Sequence, residues 1–188
     1  MISAFSIFLA AAMAMKSDTT VVLGMVERDL TGDGKPEVLR LVGTGKTIDS
    51  LDVALSIESF GKTVYRMSLA PVTRRVGFDA DRRVRSHAQQ RKWVAEFGRW
   101  FFGDNKFLRP PAFLTSWGSQ APGRLAEIPE YIARDGAFYP DTVRAKFIWS
   151  EIQRSGVTIF EISSGGDAIV AIGWSGRDRR FYRVMECC

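Results

Sequence analysis

From Ser50 to Phe60 the chain alternates. Leu51, Val53, Leu55 and Ile57 fall on one side, with Asp52, Ala54, Ser56 and Glu58 on the other. A period of two is the mark of a strand with one face turned to a core. The neighbouring stretches TVVLGMVERD (20–29), PEVLRLVG (36–43) and TVYRMSLA (63–70) are rich in Val, Leu and Met and read as further strands, with Gly61-Lys62 as a turn. Two consecutive hairpins are the simplest arrangement. Near the other end VTIFEIS (157–163), AIVAIGW (168–174) and FYRVME (181–186), separated by Gly165-Gly166 and by the turn SGRD, predict a three-strand meander.

The middle of the chain changes period. A helix is predicted over 86–102, where Trp93, Phe97, Trp100 and Phe101 recur at i, i+4, i+7 and i+8 while Lys92, Glu96 and Arg99 occupy the other side. Gly103 suits its C-terminal stop. A second helix is predicted over 124–134, with Leu125, Ile128, Tyr131 and Ile132 at helical spacing and Pro129 able to confine its start to Ile128. A third follows Pro140, with Asp141 as N-cap and Gly156 as its end, and presents Val143, Phe147, Ile148 and Ile152 on one face. The stretch 104–123, with Pro110, Pro111 and Pro122, reads as an ordered loop, and the Arg-rich stretch from Arg74 as a connector. Strands, then helices, then strands predict an α+β fold: antiparallel pairing, with about three helices packed on one face.

Composition narrows this picture without changing it. The chain has 188 residues, 46% of them hydrophobic and 25% charged, as in an ordinary globular protein. The size suits one α+β domain over 15–188. No apolar run reaches the roughly 18–20 residues that a membrane-spanning helix needs. Ala4–Met15 is apolar and about as long as the hydrophobic core of a signal peptide, Ala12 and Ala14 offer a small-residue cleavage site, and Lys16 begins a polar stretch. Residues 1–14 therefore read as a signal peptide, which implies export to the periplasm or the medium; a first core element is the alternative. Cys187 and Cys188 are the only cysteines. They admit free thiols, a bridge to another chain, or a bridge between neighbours, but no disulfide framework.

Between the first two strands lies DLTGDGKPE, residues 29–37. Three carboxylates in nine residues repel one another, and a cation is the simplest remedy. Counting Asp29 as position 1, side-chain oxygens stand at positions 1, 3, 5 and 9 (Asp29, Thr31, Asp33 and Glu37), and the Lys35 carbonyl falls at position 7. Gly34 at position 6 permits a sharp turn. Calcium takes six to eight such oxygens on a short loop of this kind. The other reading is a tight hairpin turn, rich in Asp and Gly, that binds nothing.

The stretch resembles the calcium loop of FG-GAP and VCBS-type repeats, D-x-[DN]-G-D-G-x-x-[DE] between two strands, and is similar to the first half of an EF-hand loop. The EF-hand resemblance ends at position 12, where Arg40 stands in place of a glutamate. The repeat pattern implies calcium bound by Asp29, Asp33 and Glu37 and by the Lys35 carbonyl, while Thr31 replaces the usual Asn or Asp. Propellers of such repeats carry several copies. This chain carries one, so a propeller is not implied.

Other chemistry is sparse. GWSG (173–176) falls one residue short of a nucleophile elbow and reads as a turn. His87 is the only histidine, which excludes a histidine-clustered zinc site, and it reads as a surface residue at a helix start. The connector arginines, from Arg74 to Arg91, suit a solvated face or an anionic envelope surface better than nucleic acid, because the aromatics beside them keep helical period. The expectation is an exported, calcium-binding structural or partner-binding module with no catalytic residues assigned. The alternative is an exported hydrolase with a site in 104–123 near Trp117, where a pocket lined by two carboxylates would mark it.

Overall fold

The computed structural model describes residues 19–46, 51–69, 86–136, 140–165 and 168–187. The leader, most of the Arg-rich connector, Gly166 and Cys188 lie outside them. The fold is α+β, with two four-stranded sheets and, among the described residues, four α-helices. The chain divides into two compact units, residues 1–27 with 38–103 and residues 28–37 with 104–188.

The first unit holds β1 (Thr19–Arg28, whose last residue belongs to the second unit), β2 (Glu37–Gly45, whose first residue belongs to the second unit), β3 (Asp52–Ser59) and β4 (Lys62–Ser68), hydrogen-bonded in that order. The alternation predicted from the sequence is the one observed. Leu39 faces Ile57, Leu41 faces Leu55 and Gly43 faces Val53 across the β2–β3 ladder, and the leucines, Val53 and Ile57 are buried. Ser59 pairs with Lys62, and both residues between them, Phe60 and Gly61, have positive φ (50° and 73°). That is the conformation of a type I′ hairpin turn, whose twist matches that of the strands.

Helix α1 (His87–Phe101) starts in a reciprocal cap: Ser86 Oγ accepts from Gln89 N, and Gln89 Oε1 accepts from Ser86 N. Its buried face carries Phe97 and Phe101, followed by Phe102. Trp100, expected on that face, is 45% exposed, because the seam is centred on Gly98 instead. A Cβ on Gly98 would stand 2.3 Å from the Leu23 carbonyl oxygen and 3.1 Å from Gly24 Cα. Helix and strand backbones touch there, and only glycine fits.

The second unit carries β5 (Phe107–Leu108), β6 (Ile159–Gly165), β7 (Ala168–Ser175) and β8 (Arg180–Cys187), paired antiparallel in that order. Helices α2 (Pro110–Gln120), α3 (Ile128–Asp135) and α4 (Thr142–Ser155) bury Phe113, Trp117, Ile132, Ile148 and Ile152 in one core with Ile159, Ala171 and Tyr182 of the strands. Phe160, Ile162, Val170, Ile172 and Phe181 alternate with these and are buried too.

Two expectations need correction here. The segment 104–123 is not a loop: it forms a 3-10 turn (Asp104–Lys106), strand β5, helix α2 and the start of a second 3-10 turn (Pro122–Glu127). Pro110 and Pro111 sit in the first turn of α2, where no N–H is needed and the fixed φ of proline suits a helix. The buried face of α4 is Ala145, Ile148, Trp149 and Ile152, whereas Val143 and Phe147 are 64% and 61% exposed. The ends of α4 are as expected: Asp141 accepts from Arg144 N at 3.1 Å, and Gly156 is left-handed at φ 64°.

Candidate metal centre

The loop from Asp29 to Pro36 joins β1 to β2 and belongs to the second unit. Its shape follows from carboxylates meeting backbone N–H groups. Asp29 Oδ1 accepts from Gly32 N at 2.7 Å and Asp29 Oδ2 from Gly34 N at 3.0 Å. Both glycines have positive φ, 77° and 82°, which turns their amides inward toward that carboxylate. Asp33 Oδ1 accepts from Lys35 N at 2.9 Å, a local aspartate turn.

Glu37, first residue of β2, is only 1% exposed. Its Oε2 accepts from Leu30 N at 2.8 Å and Thr31 N at 3.2 Å, and its Oε1 takes the Thr31 hydroxyl at 3.1 Å. Leu30 between them is fully buried, so the neck of the loop is closed by a hydrophobic plug and a carboxylate clasp. The tip, Gly32 to Pro36, is exposed. At the base, Arg28 pairs with Asp104 and lies over the Phe107 ring, 5.2 Å from its centroid.

All five residues expected at the metal, Asp29, Thr31, Asp33, Lys35 and Glu37, therefore lie in one compact turn. Thr31 and Glu37 are brought together directly. Among the described residues, no group of three or more His, Cys, Asp or Glu side chains is gathered closely enough to hold a metal ion. The donor chemistry nevertheless suits a hard cation. Each carboxylate oxygen has two lone pairs and Asp29 spends one per N–H bond, while the Thr31 hydroxyl, donating to Glu37, keeps its own lone pairs. Glu37 is the most committed of the set, holding Leu30 N, Thr31 N and the Thr31 hydroxyl with almost no exposure.

Sequence reasoning missed a second polar centre. Glu161, in mid-β6, is 7% exposed and accepts a hydrogen bond from Trp117 Nε1 of α2. Burial pushes its pKa up, opposed by the Trp117 hydrogen bond and by the Lys106 ammonium. Lys106 Nζ itself donates to Ser163 Oγ at 3.0 Å. The available signal was an acid inside a strand whose neighbours are apolar on both faces. Trp117 is 5% exposed and packed in the core, so this part of the chain is self-packed, with one carboxylate on its indole.

Ser175 of GWSG is likewise structural. Its hydroxyl donates to Glu151 Oε2 at 2.8 Å and accepts from Asp178 N at 3.2 Å, while Arg177 N donates to Glu151 Oε1 at 3.0 Å. The turn after β7 is thereby pinned to α4. Tyr182 donates to Asp178 at 2.6 Å, and burial followed by that carboxylate pushes its pKa up to about 12. A cleft of about 100 Å³ is lined by Tyr131, Arg134, Asp135, Arg183 and Glu186. Its arginines are already paired, Arg134 with Glu130 and Arg183 with Glu186. His87 is the first residue of α1, and its side chain lies outside the described set.

No protein-family model, curated protein or solved structure matches the chain. The fold class and the loop are what define it: an α+β protein with an acidic, glycine-bearing turn between two hydrogen-bonded strands. No helix among the described residues is long and apolar enough to cross a membrane.

Proposed function

We propose that the protein is an exported structural or partner-binding module whose Asp29–Glu37 loop binds a calcium ion. The observation that carries this reading is the wrapping of the loop around Asp29 through Gly32 N and Gly34 N, with both glycines in the left-handed region. With Asp29 held in this way as a first ligand, the Asp33 carboxylate, the Thr31 hydroxyl, the Lys35 carbonyl and Glu37 Oε1 are the oxygens that would join it. Calcium supplies the positive charge that three neighbouring carboxylates lack. A site of this type is expected to bind at roughly 10⁻⁴ to 10⁻³ M, as extracellular modules do.

Export draws support from the apolar leader with its small-residue site at Ala12–Ala14. A hydrolase site around 104–123 draws less support, since Trp117 is packed inside and meets one carboxylate rather than two. The deciding experiment is calorimetry on chelator-stripped protein. Heat of calcium binding, with a rise in melting temperature, is expected; neither appearing at millimolar calcium defeats the reading. N-terminal sequencing of native protein tests export separately, with cleavage after Ala14 expected.

A further inference from the structure

Helix α4 turns Ala145, Ile148, Trp149 and Ile152 to the core. Its opposite side carries Val143, Phe147, Ser150 and Arg154, one above another at helical spacing, all exposed. Val143 and Phe147 stand one turn apart and keep 64% and 61% of their surface in water, unusual for large apolar side chains. On one flank is Lys146 and on the other Arg144, both exposed. The turn 176–179, which Glu151 fastens to this helix, adds exposed Arg177 and Arg179.

The acids of the same region are occupied. Asp141 caps the helix, Glu151 holds Ser175 and Arg177 N, and Asp178 accepts from Tyr182 and lies 3.7 Å from Arg144. Among the described residues, no carboxylate lies within ion-pair distance of Lys146, Arg177 or Arg179. The face combines an apolar ridge with the cations of Lys146, Arg177 and Arg179, while Arg144 is paired with Asp178.

We propose that this side of α4, with the 176–179 turn, is a docking surface for an anionic lipid bilayer. Basic side chains meet the headgroup phosphates while Phe147 and Val143 enter the boundary between headgroups and acyl chains. Charge complementarity selects this occupant. A second copy would bring cations against cations. A nucleic acid would meet the cations but gain nothing from Val143. A convex ridge suits a fluid surface, which moulds itself to the protein. The proposal stands apart from the calcium loop, so its test is run in chelator.

The test is cosedimentation of the full chain with vesicles of phosphatidylcholine alone and of equimolar phosphatidylcholine and phosphatidylglycerol. The apolar stretch 4–15 is present in every variant and cancels between them. Preferential binding to the anionic vesicles is expected. It should weaken on the order of tenfold in V143S/F147S, by a similar factor in K146E/R154E, and little in R66E, a charge reversal on β4 of the first unit. All these positions are exposed, and unchanged melting confirms that the variants fold. The proposal falls if anionic vesicles are not preferred, if V143S/F147S binds like the parent, if R66E weakens binding as much as K146E/R154E, or if V143S/F147S instead dissolves a dimer of the parent.

Discussion

The buried carboxylate of Glu37 accepts the backbone N–H of Leu30 at 2.8 Å, across seven residues of chain, and thereby fixes the width of the acidic loop. Because Leu30 is fully buried and Glu37 is 1% exposed, water cannot replace this bond if it is lost. Glu37→Ala leaves the Leu30 N–H without its acceptor and strips one from Thr31, a penalty of about 1–3 kcal/mol for each buried donor left unpaired. Urea unfolding in chelator should show a loss on the order of 2–4 kcal/mol, with Glu37→Gln closer to the parent because a carbonyl oxygen remains. A loss below about 0.5 kcal/mol would place Glu37 among ordinary surface positions.

Asp33 separates the calcium role from the structural one. It is exposed, and its hydrogen bond runs to Lys35 N two residues on. Asn in its place keeps a carbonyl oxygen for that turn and removes the charge. Calcium at one hundred times its dissociation constant stabilises the folded state by about 2.7 kcal/mol, which at this size raises the melting temperature by roughly 5–10 °C. Asp33→Asn should melt within about 1 °C of the parent in chelator, as a surface change does, and should lose most of the calcium-induced rise. Equal rises in parent and variant would remove Asp33 from the ligand set.

Phe60 occupies a left-handed position in the β3–β4 turn at φ 50°, with 71% of its surface exposed. A β-carbon there is costly, and asparagine tolerates the conformation far better. Phe60→Asn is expected to raise stability by roughly 0.5–1.5 kcal/mol. Gly61→Ala, at φ 73° in the same turn, should lower it by a similar amount. Urea midpoints of the two variants, moving in opposite directions, are the check.

The sequence made the strands easier to read than the helices, for a physical reason. Leading into and along β3 a single buried face imposes strict alternation over Leu51, Val53, Leu55 and Ile57, and a slip of one residue would expose all four. The cap at Asp141 and the stop at Gly156 were legible because each depends on one side chain or one φ angle. Helix α2 was hidden, since Pro110 and Pro111 look like breakers unless they are known to stand in a first turn. In α4, apolar residues lie on several sides, so periodicity could not choose between Phe147 and Trp149; packing against the sheet chose Trp149. The Glu37 clasp was invisible for another reason: the same residue types serve a metal loop and a self-bonded turn, and only coordinates show which N–H groups they meet.

Glu161 gives the protein a pH dependence whose sign can be worked out. Burial favours its neutral form, so its folded pKa lies above that of an unfolded glutamate, ordinarily 4.5. Below that value the carboxyl is protonated in both states and the folded protein keeps its full stability. As pH rises past it the unfolded chain ionises first, and stability falls until the folded carboxyl ionises as well. Glu161→Gln removes this proton while offering Trp117 Nε1 a carbonyl acceptor. The variant should therefore gain on the parent as pH rises above about 4.5, and the difference should level off once the parent's Glu161 has ionised. Glu161→Ala differs at every pH, because the indole N–H is then buried without an acceptor, at a cost of about 1–3 kcal/mol. Urea midpoints between acid and neutral pH measure all three proteins. A constant difference between parent and Glu161→Gln would show that Lys106 and Trp117 cancel burial at this carboxylate, and one that shrinks with rising pH that they outweigh it.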